Sequence, residues 1–422
     1  MLARFLYSLL LTLVAPLLLY SLYKKKQGKP SVGKRWKEHF GFTPTIPNCQ
    51  QPIWIHAASV GETIAVTPLI KQLKSRHPEV DIVLTTTTST GAEQAERLGG
   101  LVTHRYTPVD FSFAISKFIR VIKPSQLIIV ETELWPNTLN VVGKAGIPIT
   151  LLNARLSEKS YRGYKKVLPL FIPMAKQLSK VLCQYHDDAE RFFNLGVNKE
   201  KLVVTGSIKF DISITDTVLT QGNQLREQLG KDRPVWIAAS THEGEDKQLL
   251  SVHRQLLSYL PECLLIIVPR HPERFSNVAK LSQELGFLTV TRSSGNVIEQ
   301  ETQVYLGDTM GEMLTLMQAS DVCFMGGSLI GKKVGGHNLL EPAALGIPTL
   351  TGPSYYNFTD ITHALVASGA CKITDNAESI VSQLKFWLTD KQQRQASGQQ
   401  ALSVVNKNTG AINQSLAQID LD

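Results

Sequence analysis

The sequence predicts an α/β protein: two doubly wound Rossmann-like domains facing a cleft, behind an N-terminal transmembrane helix. Three observations carry that prediction. From Pro52 onward short apolar runs alternate with helical stretches, the pattern of a parallel sheet covered by helices on both faces. The alternation starts twice in similar words, Trp54-Ile55-His56-Ala57-Ala58-Ser59 and Trp236-Ile237-Ala238-Ala239-Ser240, each followed by a Gly-Glu pair, Gly61-Glu62 and Gly244-Glu245. Ahead of both lies an uncharged apolar stretch, residues 5–23. A chain of 422 residues with 43% hydrophobic content is too long for one ordinary domain and can fill two cores.

The first element, residues 1–23, is expected to be a membrane anchor. About 19 helical residues rise ~29 Å, roughly one hydrocarbon core. Pro16 kinks such a helix without forbidding insertion. Arg4 precedes the stretch, whereas Lys24, Lys25, Lys26, Lys29, Lys34, Arg35 and Lys37 follow it, which places the following chain in the cytoplasm. A cleaved signal peptide is the alternative; no small-residue cleavage site precedes the lysines, and such charges resist export. Residues 24–50 form a basic juxtamembrane segment suited to the anionic lipids of an inner membrane.

Residues 51–211 carry the first series, with strands expected at 53–55, 81–85, 126–130, 147–152, 181–184 and 202–204. Residues 212–232 lack a convincing strand and are taken as the interdomain linker. Residues 233–395 carry the second series, with strands at 235–239, 264–268, 288–291, 304–306, 322–325 and 349–350. Residues 396–422 are expected to be a helical tail. Two doubly wound domains side by side bind ligands in the cleft at the carboxyl ends of their strands.

Candidate chemistry gathers at those carboxyl ends. Met325-Gly326-Gly327-Ser328 stops a strand, and Gly335-Gly336-His337-Asn338 opens a helix bearing Glu341, ended by Gly346. Free backbone N–H groups and a helix dipole there suit an anion, and Glu341 suits sugar hydroxyls. Turn-making glycines and a dipole-compensating glutamate are the plainer reading. Glu62 after Gly61 can act as a general base or merely balance a dipole. Glu131 and Glu133 can act as a pair or brace Trp135. Arg270-His271-Pro272-Glu273-Arg274 suits a phosphate, or a salt-bridged surface loop. Lys209 can reach a ligand or sit in solvent, and Arg155, Lys159 and Arg162 suit a phosphate-bearing acceptor, or form a solvated helix face.

A net charge of +8 owes much to the lysines after the anchor. Without a basic helix or aromatic stacking platform, nucleic acid is not an expected partner. The five cysteines, at 49, 183, 263, 323 and 371, show no CxxC spacing, so they imply neither a metal site nor disulfides.

The motifs His56-Ala57-Ala58-Ser59-Val60-Gly61-Glu62, Glu131-Thr132-Glu133-Leu134-Trp135-Pro136-Asn137, Gly206-Ser207-Ile208-Lys209-Phe210-Asp211, Pro269-Arg270-His271-Pro272-Glu273-Arg274-Phe275, Met325-Gly326-Gly327-Ser328 and Gly336-His337-Asn338-Leu339-Leu340-Glu341-Pro342 together resemble those of the 3-deoxy-D-manno-octulosonic acid (Kdo) transferases of lipopolysaccharide synthesis. The match runs from the anchor to about Thr374. The resemblance implies a GT-B glycosyltransferase with CMP-Kdo as donor substrate and a lipid A precursor as acceptor. It implies inversion at the transferred sugar, no cofactor and no catalytic metal.

On the same resemblance Glu62 is the catalytic base. Arg270 and His271 contact the donor, Gly326, Gly327 and Ser328 line its loop, Asn338 and Glu341 hold phosphate and ribose, and Lys209 lies near the reacting sugar. Retaining GT-B enzymes often carry two glutamates eight positions apart around such a helix; eight after Glu341 this chain has Thr349. A sugar-nucleotide epimerase and a catalytically silent membrane scaffold remain as other classes. CMP release that depends on a lipid acceptor excludes both.

Overall fold

The computed structural model describes residues 2–24, 31–47 and 51–420. Lys25, Lys26, Lys29 and Cys49, part of the expected juxtamembrane segment, lie outside the described residues. The chain divides into two compact units, Met1–Asp211 with Thr409–Asp422, and Ile212–Asn408.

Unit 1 holds seven parallel strands: β1 (Ile53–His56), β2 (Ile82–Thr86), β3 (Thr103–Tyr106), β4 (Gln126–Val130), β5 (Ile149–Ala154), β6 (Lys180–Cys183) and β7 (Leu202–Val204). Their order is β3-β2-β1-β4-β5-β6-β7, so the winding reverses between β1 and β4. Period-two alternation supplies two cores. Trp54 faces Phe118, Ile129, Leu139 and Phe171, while Ile53 and Ile55 face Leu69, Ile70 and Leu73 of the helix Val60–Arg76. Strand β3 was not among the expected strands. Its sequence, Thr-His-Arg-Tyr, is polar, and it is an edge strand held partly by side chains: Thr86 Oγ1 lies 3.0 Å from His104 Nε2.

The N-terminal helix Leu2–Tyr23 is long and apolar enough to cross a membrane. A stripe through Ser8, Leu11, Ala15, Leu19 and Leu22 is half-covered, whereas Phe5, Leu9, Leu13 and Leu17 are exposed.

Unit 2 holds β8 (Val235–Thr241), β9 (Leu264–Pro269), β10 (Thr289–Thr291), β11 (Val304–Leu306), β12 (Val322–Met325), β13 (Thr349–Thr351) and β14 (Cys371–Ile373). The order β10-β11-β9-β8-β12-β13-β14 is again parallel and reverses between β8 and β12. Its core joins Trp236, Leu265, Ile267, Phe324 and Trp387. Strand β14, a three-residue edge strand, was also missed.

Two expected boundaries need correction. The supposed linker at 212–232 contains the helix Asp216–Leu229, capped by Thr215, which buries Leu225 and Leu229 in unit 2. Polar residues on its outer face hid its helical period. The supposed tail at 396–422 divides. The helix Lys391–Asn408 belongs to unit 2, whereas the helix Ala411–Leu416 packs into the unit 1 core through Ala411, Ile412 and Leu416. Asp211 receives the backbone N–H groups of Gly410 and Ile412 at 2.5 Å each, fastening the returning chain.

Candidate active site

In unit 1 the site is built where the winding reverses. After β1, Ser59 caps the helix Val60–Arg76, and Glu62 falls at its third position. The Glu62 carboxylate turns back on the loop, accepting Ala58 N–H at 2.8 Å and the Ser59 hydroxyl at 2.7 Å. Ser59 Oγ in turn accepts the Glu62 backbone N–H at 3.3 Å, so cap and carboxylate hold each other, a variant of the capping box in which the glutamate reaches the N–H one residue ahead of the cap. Burial pushes Glu62 up to about 7; the two hydrogen bonds oppose that shift, and the nearby charges of Glu133 and Glu131 add to it. A carboxylate so poised can take a proton near neutral pH.

Glu131 follows β4 with φ 61, a left-handed backbone that costs a non-glycine residue roughly 1–2 kcal/mol. Its carboxylate pairs with Lys209 Nζ at 2.7 Å. Glu133, whose carboxyl is also raised by burial, accepts the Trp135 indole N–H at 3.1 Å. The expected Glu131–Glu133 pair is therefore divided between two partners, because the left-handed turn breaks the extended geometry. Lys209 lies in unit 1, held by Glu131.

Arg155, Lys159 and Arg162 are exposed, the last two on the helix Glu158–Lys166, which buries no side chain. Arg162 pairs with Glu158 at 2.8 Å, one helical turn away.

In unit 2 the Gly-rich loop after β12 is built differently from expectation. Gly326 is required by close approach, since a Cβ there would stand 2.7 Å from the Ser240 carbonyl oxygen. Gly327 adopts φ +70 against the His337 ring. The N–H groups of Gly327, Ser328 and Leu329 do not face outward. They donate to the fully buried Glu245 carboxylate at 2.7, 2.9 and 2.9 Å, and His242 N–H joins them at 2.9 Å. Ser328 is also fully buried, its hydroxyl donating to Met325 O at 2.7 Å and accepting Gly352 N–H at 2.8 Å. The expectation of free loop amides is corrected: an internal carboxylate occupies them, and Ser328 is a brace.

The groups left to meet a ligand are side chains. Arg270 and His271 are exposed just beyond β9. His242 Nε2 lies 2.8 Å from His337 Nε2 with the rings stacked, and the His271 ring stands edge-on to His242. Burial first, then the neighbouring His242, Arg270 and His271, pushes His337 down to about 3, so it is a neutral hydrogen-bonding ring. Glu341 is half-buried in the short helix Leu340–Ala344. Burial raises its carboxyl, while the Asn338 side chain and Arg270 favour its charge. Arg270, His271, Asn338 and Glu341 are thus brought together.

His242 and Glu245 escaped sequence reasoning. The repeated Gly-Glu pair marked their place, but three of the four amides that Glu245 binds lie more than eighty residues away in the chain. Among the described residues, no group of three or more His, Cys, Asp or Glu side chains could hold a metal ion.

Comparison with known proteins matches this architecture from end to end. The family model described as 3-deoxy-D-manno-octulosonic-acid transferase (kdotransferase) matches residues 34–212, and that of glycosyl transferases group 1 matches residues 247–404. A 3-deoxy-D-manno-octulosonic acid transferase from Haemophilus influenzae is 40% identical over 413 residues, covering 97% of this chain and 96% of its own. One from Bordetella pertussis is 33% identical over 379 residues, 87% of each chain. Among solved structures, the C-terminal CMP-Kdo binding domain of WaaA from Acinetobacter baumannii is 38% identical, covering 45% of this chain and 99% of that one with a TM-score of 0.43. A UDP-GlcNAc 2-epimerase from Neisseria meningitidis, 16% identical, covers 87% of this chain and 100% of its own with a TM-score of 0.53, a likeness of fold. Two parallel Rossmann-like sheets, the kdotransferase match and relatives aligned over nearly the whole length place the chain in the Kdo transferase family, glycosyltransferases of GT-B type that act in lipopolysaccharide synthesis.

Proposed function

We propose that the chain transfers Kdo from CMP-Kdo to a lipid A precursor, lipid IVA, with inversion and without a metal. The observation that carries the reading is Glu62, a carboxylate at the carboxyl end of β1 whose affinity for a proton is raised to neutrality. Glu62 takes the proton of the acceptor hydroxyl as its oxygen bonds to the anomeric carbon, and the bond from that carbon to the CMP phosphate oxygen breaks on the opposite face. Arg270 and His271 meet the phosphate charge as CMP leaves, Asn338 and Glu341 hold the nucleotide, and Glu245 keeps the Gly326–Ser328 loop shaped beneath it. The Arg270 guanidinium supplies the charge that a metal supplies elsewhere, with the His271 ring adding a hydrogen bond, so turnover survives EDTA.

Lys209, paired with Glu131, lies near the reacting sugar of the donor in this reading, and the exposed Arg155, Lys159 and Arg162 form the acceptor side, meeting phosphates on the lipid head group. The apolar helix and the lysines after it hold the catalytic units at the cytoplasmic face of the inner membrane, where anionic lipids meet that basic segment. CMP-Kdo incubated with the purified protein releases CMP only when lipid acceptor is added, and the product mass gives the number of Kdo residues transferred. Release without acceptor, or a change in the donor sugar alone, refutes transfer and favours the epimerase reading.

A further inference from the structure

We infer that the N-terminal helix and unit 1 hold between them one acyl chain of the lipid acceptor, which makes the helix part of the acceptor site as well as a tether. The inference rests on the lipid acceptor proposed above. A cavity of about 230 Å³ lies between Leu11, Leu19 and Leu22 of the helix and Trp54, Val109 and Ile129 of unit 1. The helix is pinned on either side of it. Near its start, the Ser8 hydroxyl and the Asn137 amide hydrogen-bond at 3.0 Å; at its end, Tyr23 OH meets His39 Nδ1 at 2.9 Å. Asn137 is itself fixed, since its backbone and side-chain N–H groups donate to Asp110 at 3.0 and 2.7 Å. The gap is therefore framed by polar contacts and walled by apolar ones.

Two rings in its wall, His39 and His56, each carry a buried Nε2 without a hydrogen bond, and His56 stands beside the catalytic loop. His56 also borders the cavity and is only 4% exposed. Its Nδ1 lies 3.1 Å from the Thr85 hydroxyl and 3.1 Å from the Thr107 hydroxyl, whereas its Nε2 is buried with no hydrogen bond. A buried, unpaired polar atom costs about 1–3 kcal/mol, so this nitrogen calls for a ligand oxygen. Burial holds His56 neutral, pushed down to about 4, which favours an uncharged oxygen over an anion. A hydroxyl suits either tautomer of the ring, because it both donates and accepts.

An acyl chain with an oxygen near its head satisfies both halves of the cavity: methylenes against the leucines and Trp54, oxygen at His56. The occupant is the acceptor and not bulk lipid, because the polar end is continuous with the catalytic cluster. Glu133 and Trp135 line the cavity, and Glu133 is one of the two carboxylates whose charge raises Glu62. A chain seated here leads its head group toward the proposed base.

The test uses full-length protein in detergent micelles and a lipid IVA analogue carrying a photoreactive acyl chain. Labelling should map to the cavity floor, Pro108 and Val109, and excess untagged lipid IVA should suppress it while phospholipid does not. Labelling needs no turnover, so it reads the seat even if the transfer reading fails. Leu19→Trp fills the gap, and kcat/KM for acylated relative to deacylated acceptor should fall about tenfold or more, the effect of losing one buried apolar side chain's worth of contact. Leu11→Phe is a smaller filling, expected to move the same ratio in the same direction. Label confined to the exposed helix positions Leu9, Leu13 and Leu17, or equal suppression by phospholipid, overturns the inference. Equal loss on both acceptors overturns it too.

Discussion

The two units each place a Gly-Glu pair at the start of the helix that follows the first strand of their own sheet, yet the two glutamates do opposite work. In unit 1 the helix starts at Val60, so Glu62 sits in its third position and folds back on its own loop, with two donors and two acidic neighbours. In unit 2 Gly244 caps the helix with φ 95, so Glu245 sits in its first position. There it reaches across to β12 and collects four backbone N–H groups. A carboxylate whose oxygens are filled by four amides is a brace for the loop it holds, whereas one that accepts two donors beside other carboxylates is suited to take a proton. A shift of two positions in helix start separates a buried brace from the carboxylate proposed as the base.

The comparison breaks most sharply at Glu62. Glu62→Gln keeps shape and one accepting oxygen for Ala58 N–H, with its NH₂ donating to Ser59 Oγ instead of accepting from it, but it accepts no proton, so turnover should fall roughly 10²–10⁴-fold. CMP affinity should hold, because the nucleotide-binding groups proposed here belong to unit 2. The wild-type rate should drop on acidification through about pH 7 as Glu62 protonates. Stability runs the other way. A carboxyl whose pKa rises from 4.5 to about 7 on folding contributes stability that is complete below about 4.5 and lost as pH climbs through about 7. The melting temperature of Glu62→Gln relative to wild type should therefore rise over that window. Near-normal turnover would leave Glu62 a helix cap only.

At Glu245 the same substitution should act on folding. Gln replaces one accepting oxygen by an N–H₂ group facing amides, and leaves buried donors unpaired at a cost of about 3 kcal/mol. A lower melting temperature together with weaker CMP binding is expected; unchanged values for both would mean that the loop stands without its carboxylate. Glu341→Ala should weaken CMP binding about tenfold, the scale of one charge-assisted hydrogen bond, with little thermal effect. Equal affinity by calorimetry removes Glu341 from the donor site.

How much of this was legible in sequence follows from range. Strands with continuous apolar runs, such as Gln126–Val130 and Val322–Met325, declared themselves, and the repeated opening words announced two domains. Thr103–Tyr106 did not, since the contact to Thr86 that steadies its histidine comes from a neighbouring strand. Ser59-x-x-Glu62 is a local motif, and its capping role was open to inspection. Glu245 was opaque, because the amides it binds come from a segment that only folding brings near. For the same reason glycines at 326 and 327 announced a turn but not the direction of its N–H groups. The neutral, unpartnered face of His56 was likewise invisible.

The finest test of the contrast concerns the acidic neighbours. If Glu62 differs from Glu245 partly because carboxylates surround it, removing one should ease its ionisation. Glu133→Gln retains an oxygen that can accept the Trp135 indole N–H and deletes the charge. Burial is the largest cause of the raised Glu62 pKa and Glu133 a smaller one, so the acid limb of the rate profile should move to lower pH by a modest amount. The plateau rate above that limb should change little, because Glu133 is proposed to exchange no proton with substrate. A limb that stays in place would assign the shift to burial and Glu131 without Glu133. A limb that moves upward would contradict the electrostatic account, since losing a negative neighbour cannot make a carboxylic acid hold its proton more tightly.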